Sequence, residues 1–114
     1  MTRSRRELGA AGEELAAEWY RRAGYQIVAR NWRCREGELD LVVRGHGVVV
    51  FCEVKTRSSA RFGVPAEAVT PAKQRRIRAL AIQFLRQHPQ RSKGIRFDVA
   101  AVLDREIDVL EGAF

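Results

Sequence analysis

Cysteine is scarce in this sequence, and the two that occur, Cys34 and Cys52, share no pattern. Neither belongs to a Cys-x-x-Cys pair, so neither a structural zinc site nor a disulfide framework is expected. Cys52 lies inside an apolar run and reads as a small core residue. No stretch approaches the length of a membrane-spanning helix. The basic N-terminal segment "MTRSRRELGAAGEE" is not followed by an apolar run, so it does not read as a secretory signal. Of the two histidines, His46 reads as a turn residue and His88 as a helix-end residue. There is no Ser–His–Asp or Cys–His set and no glycine-rich phosphate loop, which removes the common nucleophilic hydrolases and nucleotide-phosphate binders. Repeats, low-complexity segments and linkers are missing too. The expectation is a single domain over residues 1–114, cytoplasmic and without a membrane partner.

What is present is charge. The chain is 31% charged and 46% hydrophobic, a balance that supports a folded core and argues against wholesale disorder. Its net charge is +7 and its pI is about 10.4. Most of the cations are arginine, which can fork onto the phosphate oxygens of DNA or RNA alike, so nucleic acid is the leading partner. A generally Arg-rich composition, or a merely solvated basic surface, would give the same balance.

The order of elements is legible. "SRRELGAAGEELAAEWYRRAG" predicts a first helix with an apolar stripe of Leu8, Gly12, Leu15, Trp19 and Ala23, stopped at Gly24. "YQIVARNWR", "ELDLVVR" and "VVVFCEVK" predict three strands, the last two joined across Gly45–His46 as a hairpin. A loop from Thr56 to Thr70 follows, long enough to suggest function. Thr70 and Pro71 then open a second helix as N-cap and first helical residue, with Ile77, Leu80, Ala81, Phe84 and Leu85 on one stripe. "IRFDVAAVL" and "EIDVLEG" close the chain as two paired strands. The fold class is α/β, a mixed β-sheet of about five strands flanked by two helices, in the order α-β-β-β-α-β-β. The third strand, apolar on both faces, should be central.

Glu38, Asp40, Glu53 and Lys55 stand out in that hairpin. With Gly45 and His46 as turn residues, Asp40 pairs with Phe51 and Glu38 with Glu53, which puts all four charges on one face. Asp40 is then diagonal to Glu53, about 7–8 Å away between backbones. Clustered carboxylates repel and resist desolvation, and a hard divalent cation, Mg2+ or Mn2+, relieves both. Asp40 and Glu53 are the expected side-chain ligands, with the carbonyl of Val54 as a third. Lys55 points the same way, where it can serve the scissile phosphate, the attacking water or the transition-state charge. The bland reading is a solvated hairpin face with a Glu–Lys salt bridge.

These residues carry a resemblance. "GELDLV" followed by "VFCEVKTR" resembles the core of the PD-(D/E)xK nuclease superfamily, with Asp40 as first acid and Glu53-Val54-Lys55 as the ExK element. The ordered blocks "GAAGEELAAEWYRRAGYQIVARNWR", "GELDLV", "VFCEVKTR", "VTPAKQRRI" and "RFDVAAV" are similar to the YraN-like family of small bacterial proteins. That resemblance implies a restriction-endonuclease-like fold, similar to archaeal Holliday-junction resolvases, and metal-dependent endonuclease activity on nucleic-acid phosphodiesters. Branched or structured DNA is implied as a substrate and a homodimer as an assembly. A catalytically inactive nucleic-acid-binding module of the same fold is the alternative.

The superfamily often adds an acid on its first helix, and helical geometry favours Glu13, at the border of the apolar stripe. Glu14 falls outward with Glu18 and Arg21. Lys73 and Gln74, in the first turn of the second helix, are placed to overlook the site and contact DNA phosphate or Glu53. Ordinary solvation of a helix start is the other reading. Arg57 and Arg61, with Phe62, are candidates for gripping the nucleic-acid backbone, and Arg75, Arg76 and Arg78 either extend that footprint or face solvent. Glu38 is either a further acid beyond the metal's own ligands or, the preferred reading, the partner of Arg33 or Arg35, and Asp98 is expected to pair with Arg96 or a sheet neighbour.

Overall fold

A computed structural model describes residues 5–57 and 69–114. Its elements are α1 (Arg5–Arg22), β1 (Gln26–Cys34), β2 (Gly37–Gly45), β3 (Val48–Arg57), α2 (Pro71–Gln87), β4 (Gly94–Leu103) and β5 (Glu106–Leu110). This is the expected α-β-β-β-α-β-β order. The strands form one five-stranded sheet in the order β1-β2-β3-β4-β5, with β3 at its centre. All neighbours are antiparallel except β3 and β4, which run parallel because α2 lies between them in the chain. The expected loop residues Arg61 and Phe62 lie outside the described residues.

One helix covers each face. Ile77, Leu80, Ala81 and Phe84 of α2 pack on Leu39, Val42, Val49, Phe51, Phe97 and Val99. Thr70 caps α2 as its sequence predicts, its side chain accepting from the Lys73 N–H at 3.2 Å, and Pro71 takes the first turn. On the other face, Ala16, Ala17 and Tyr20 of α1 seat on Leu41, Val43, Val50, Cys52 and Ala100. The seat differs from the expected stripe. Gly12, Ala16, Ala17 and Tyr20 are buried, while Leu15, Trp19 and Ala23 are only partly so. Small residues let α1 approach the sheet closely, and the large ones flank the contact. Gly24 ends α1 in the left-handed region (φ 93°), as expected of a helix stop.

Gly12 marks the closest approach. A Cβ built there would collide with Thr56 Oγ1. Thr56 is β-branched, so rotating χ1 mostly exchanges one heavy atom for another. Gly12→Ala should therefore lower stability by about 1 kcal/mol, the overpacking cost of about 1–3 kcal/mol exceeding the gain of about 1 kcal/mol in helix propensity. Urea melts of Gly12→Ala with and without Thr56→Ala check this, with partial recovery expected in the double variant.

The hairpin turn corrects the expectation. The central residues are His46 and Gly47, both at positive φ (51° and 82°), as a type I′ turn requires. Gly45 instead pairs with Val48, and its missing Cβ makes room for Tyr25, whose Cδ1 would lie 2.8 Å away. The ring of Tyr25 claims the first glycine, so the turn moves one residue on. Each strand thereby advances by one residue, placing Val42 opposite Phe51 and Leu41 opposite Cys52.

Candidate metal and phosphate site

That register brings Asp40 level with Glu53 rather than diagonal to it, just where the β2–β3 ladder ends. A second irregularity lies beside it. Leu39 and Val42 both pack on the α2 side while Leu41 and Val43 pack on the α1 side, so the alternation of β2 slips once at Asp40. Between Arg30↔Leu41 and Trp32↔Leu39, the residue facing Asp40 is Asn31, at φ 50°. The slip turns Asp40 into the gap between β2 and β3, where its Oδ2 accepts from the Val54 N–H at 2.9 Å. It also takes Glu38 off the expected face. Glu38 forms an ion pair with Arg33, its partner across the β1–β2 ladder.

Glu53 is buried and faces α2. Its Oε1 lies 2.7 Å from Lys73 Nζ and 3.6 Å from Lys55 Nζ, so two lysines from two elements meet one carboxylate. Lys73 thus overlooks the site from the first turn of α2. Gln74 does not, because its side chain donates to the Val69 carbonyl at 3.0 Å and secures the chain entering the helix. Glu13 approaches from α1, its Oε2 accepting from Asn31 Nδ2 at 3.0 Å. Asn31 went unrecognised in the sequence. Its only signal was an asparagine inside a strand pattern, a residue type that tolerates the left-handed region. Glu14 faces outward as expected and pairs with Arg30 and Arg21.

The electrostatics follow this packing. Burial first, then the charge of Glu53, and more weakly that of Glu13, push the Asp40 carboxyl up to about 7, against the opposing bond from Val54 N–H. Lys55 is held below the usual lysine range by burial and by the neighbouring Lys73. Burial, the largest single influence, lowers Lys73 too, but the bond and attraction to Glu53, with Lys55 and Asp40 adding, together outweigh that and raise it. Arg57 follows Lys55 by two residues and donates to the Thr56 carbonyl at 3.0 Å. It borders a cleft of about 160 Å3 shared with Gly12, Leu15, Asp104 and Arg105. Arg61 lies outside the described residues.

Among the described residues no three His, Cys, Asp or Glu side chains gather in a ligating cluster. Mg2+ nevertheless needs only one or two carboxylates, the rest of its octahedron coming from water and substrate phosphate. The Asp40–Glu53 pair supplies that number and has the hard oxygen donors this ion prefers. The residues present fit a hard divalent cation. Val54 contributes its N–H to Asp40, and its carbonyl remains an expectation for the same ion.

The molecule is thus an α/β protein with two closely placed carboxylates and two lysines at the carboxyl end of its central strand. The chain belongs to the family described as "Uncharacterised protein family UPF0102", which matches residues 12–102. That span contains every candidate residue from Glu13 to Gln74, and the YraN-like resemblance agrees with it. A UPF0102 protein of Nocardia farcinica is 57% identical over 96 residues, covering 84% of this chain and 76% of the relative. One of Frankia alni is 53% identical over 100 residues, covering 88% and 83%. One of Acidothermus cellulolyticus is 46% identical over 126 residues, covering 97% and 96%. No helix of the described residues is long and apolar enough to cross a membrane.

Proposed function

We propose that this protein is a metal-dependent endonuclease that hydrolyses phosphodiester bonds, with structured or branched DNA as its substrate class. The observation that carries the reading is the Asp40–Glu53 pair. Two carboxylates sit side by side in a half-buried gap, one of them with its pKa raised to about 7, and Lys55 and Lys73 stand beside them. The resemblance to the PD-(D/E)xK core and to Holliday-junction resolvases supports the same chemistry.

Asp40 and Glu53 would hold Mg2+ or Mn2+, with the Val54 carbonyl beside them. When bound, such an ion polarises a phosphoryl oxygen and makes water a stronger acid. The chain's own residues do the rest. The Val54 N–H orients Asp40 by donating to its Oδ2. Lys55, partly buried and short of its usual proton affinity, faces the phosphate and offsets charge building on its oxygens. Lys73 holds Glu53 in place and presents a second cation to the same phosphate. Glu13, fixed by Asn31, adds negative field that favours a cation at Asp40. Arg57 and Arg61 would hold the flanking backbone, and two copies of the chain would allow both strands of a duplex to be cut.

A second reading has its own observation. Lys55 and Lys73 already neutralise Glu53, so the cluster is satisfied as a salt-bridge network in a binding module without catalysis. Incubating the protein with branched, duplex and single-stranded DNA and with RNA, in Mn2+ or EDTA, separates the two. Cleavage that EDTA stops is expected. In parallel, Mn2+ at a hundred times its Kd should stabilise the wild type by about 2.7 kcal/mol, and should leave Asp40→Asn/Glu53→Gln unmoved. Salt-sensitive binding with no product and no metal-induced shift would replace the nuclease reading with the module.

A further inference from the structure

The two helices differ sharply in charge. α1 carries four basic and four acidic residues, and Glu14 and Glu18 hold Arg21, Arg22 and Arg30 in surface ion pairs. α2 carries Lys73, Arg75, Arg76, Arg78 and Arg86 and no acid at all. Among the described residues only Lys73 of these five meets a carboxylate within ion-pair distance. Most of the chain's net charge of +7 therefore lies on one helix on one face of the sheet.

The placement also opposes local stability. Lys73, Arg75 and Arg76 stand in the first two turns of α2, with no acid in the first turn. A helix N-terminus carries partial positive charge and disfavours cations, so a sequence shaped only for folding would put acids there. The apolar residues Ile77, Leu80, Ala81 and Phe84 face the sheet, which leaves Arg75, Ala79, Ile82 and Arg86 in line on the outer side, all exposed. Arg76 flanks that line toward Gly37 at the start of β2, beside the β1–β2 turn where Arg35 is also exposed.

We infer that the outer face of α2 is a docking tract for the phosphodiester backbone of a duplex arm leading away from the candidate site. This rests on the nucleic-acid reading above but not on catalysis. α2 starts at the site, where Lys73 touches Glu53, and returns along the sheet toward the start of β4. From Arg75 to Arg86 the helix rises about 16 Å, which is about five base pairs of duplex axis. Contacts of this kind read phosphate and not base, so they position an arm without selecting its sequence.

The test is the salt dependence of binding, in EDTA, of fluorescent DNA and RNA duplexes to the wild type, Arg75→Gln/Arg86→Gln, and the α1 control Arg21→Gln/Arg22→Gln. The α2 variant should lower the slope of log K against log salt by about two, equally for DNA and RNA, and the α1 control should leave it unchanged. The melting temperature of Arg75→Gln/Arg86→Gln should stay close to that of the wild type, because relief at the helix N-terminus offsets the cation lost from its last turn, and this excludes misfolding as the cause of lost binding. An unchanged slope in the α2 variant, an equal loss in the α1 control, or no duplex binding by the wild type overturns the inference. Cleavage by a wild type whose α2 variant keeps its slope leaves the nuclease reading standing alone. A reduced slope without cleavage in Mn2+ leaves the tract standing alone.

Discussion

Asp40→Asn is expected to lower metal-dependent cleavage by about a thousand-fold or more while making the metal-free protein more stable near neutral pH. The first effect follows from losing one of two anionic ligands. Charge stabilisation by a bound cation is worth several kcal/mol, and about 4 kcal/mol corresponds to a thousand-fold in rate. The second follows from the Asp40 carboxyl, pushed up to about 7 by burial first and the Glu53 charge second. Its folded-state pKa is raised above the unfolded value of about 4, so its favourable contribution is complete below pH 4. That contribution is lost as pH rises through 7. In EDTA the wild type should therefore lose stability between pH 4 and 7, a loss that Asp40→Asn avoids. Metal affinity should show the opposite trend, rising over the same window as the proton leaves. Urea melts from pH 4 to 8 and single-turnover rates in Mn2+ measure both. Parallel pH curves for the two proteins would contradict the account of a strained carboxylate pair.

Asp98→Ala should cost about 3–5 kcal/mol, on the order of 10–20 °C in melting temperature. Asp98 is 0% exposed, yet four donor atoms converge on it. Tyr20 OH donates at 2.6 Å, Arg96 Nε and Nη2 at 2.9 and 3.0 Å, and the Gly112 N–H at 2.9 Å. Burial first, with Cys52 and Asp98 adding, holds the Tyr20 phenol far above its usual range, so it stays a donor. Truncation leaves these donors facing a void in the core, and the partly exposed Arg96 keeps only the Tyr25 hydroxyl at 3.1 Å and Glu111 at 3.7 Å among the described residues. The loss should reach α1 through Tyr20 and the C-terminal segment through Gly112. Asp98→Asn should cost clearly less, because it keeps an acceptor oxygen. Equal melting temperatures for Asp98→Ala and the wild type would remove this network from any account of the fold.

The two sites were not equally legible in the sequence. Asp40, Glu53 and Lys55 stood out as charges on otherwise apolar strands, and Glu13 was separated from Glu14 by helical geometry alone. Lys73 followed from its place at the start of a core-facing stripe. Asp98 looked like half of a local pair with Arg96, and nothing nearby in sequence pointed to Tyr20 or Gly112, 78 and 14 residues away. Asn31 carries little signal in the sequence because its role depends on the slip in β2 across from it.

Element order, the α2 cap, the glycine stop of α1 and the central place of β3 were all readable because each is set by a few neighbouring residues. Choosing between the glycines of Gly45-His46-Gly47 was not local. Either could serve a two-residue turn, and the packing of Tyr25, distant in the chain, decided it. The same holds for the inward turn of Asp40 and for the meeting of Lys73, Lys55 and Glu53. These depend on how strands diverge and where a helix end comes to rest, which are outcomes of packing between distant segments. The residue types capable of the chemistry were written in the sequence, and the folded chain decided which of them meet.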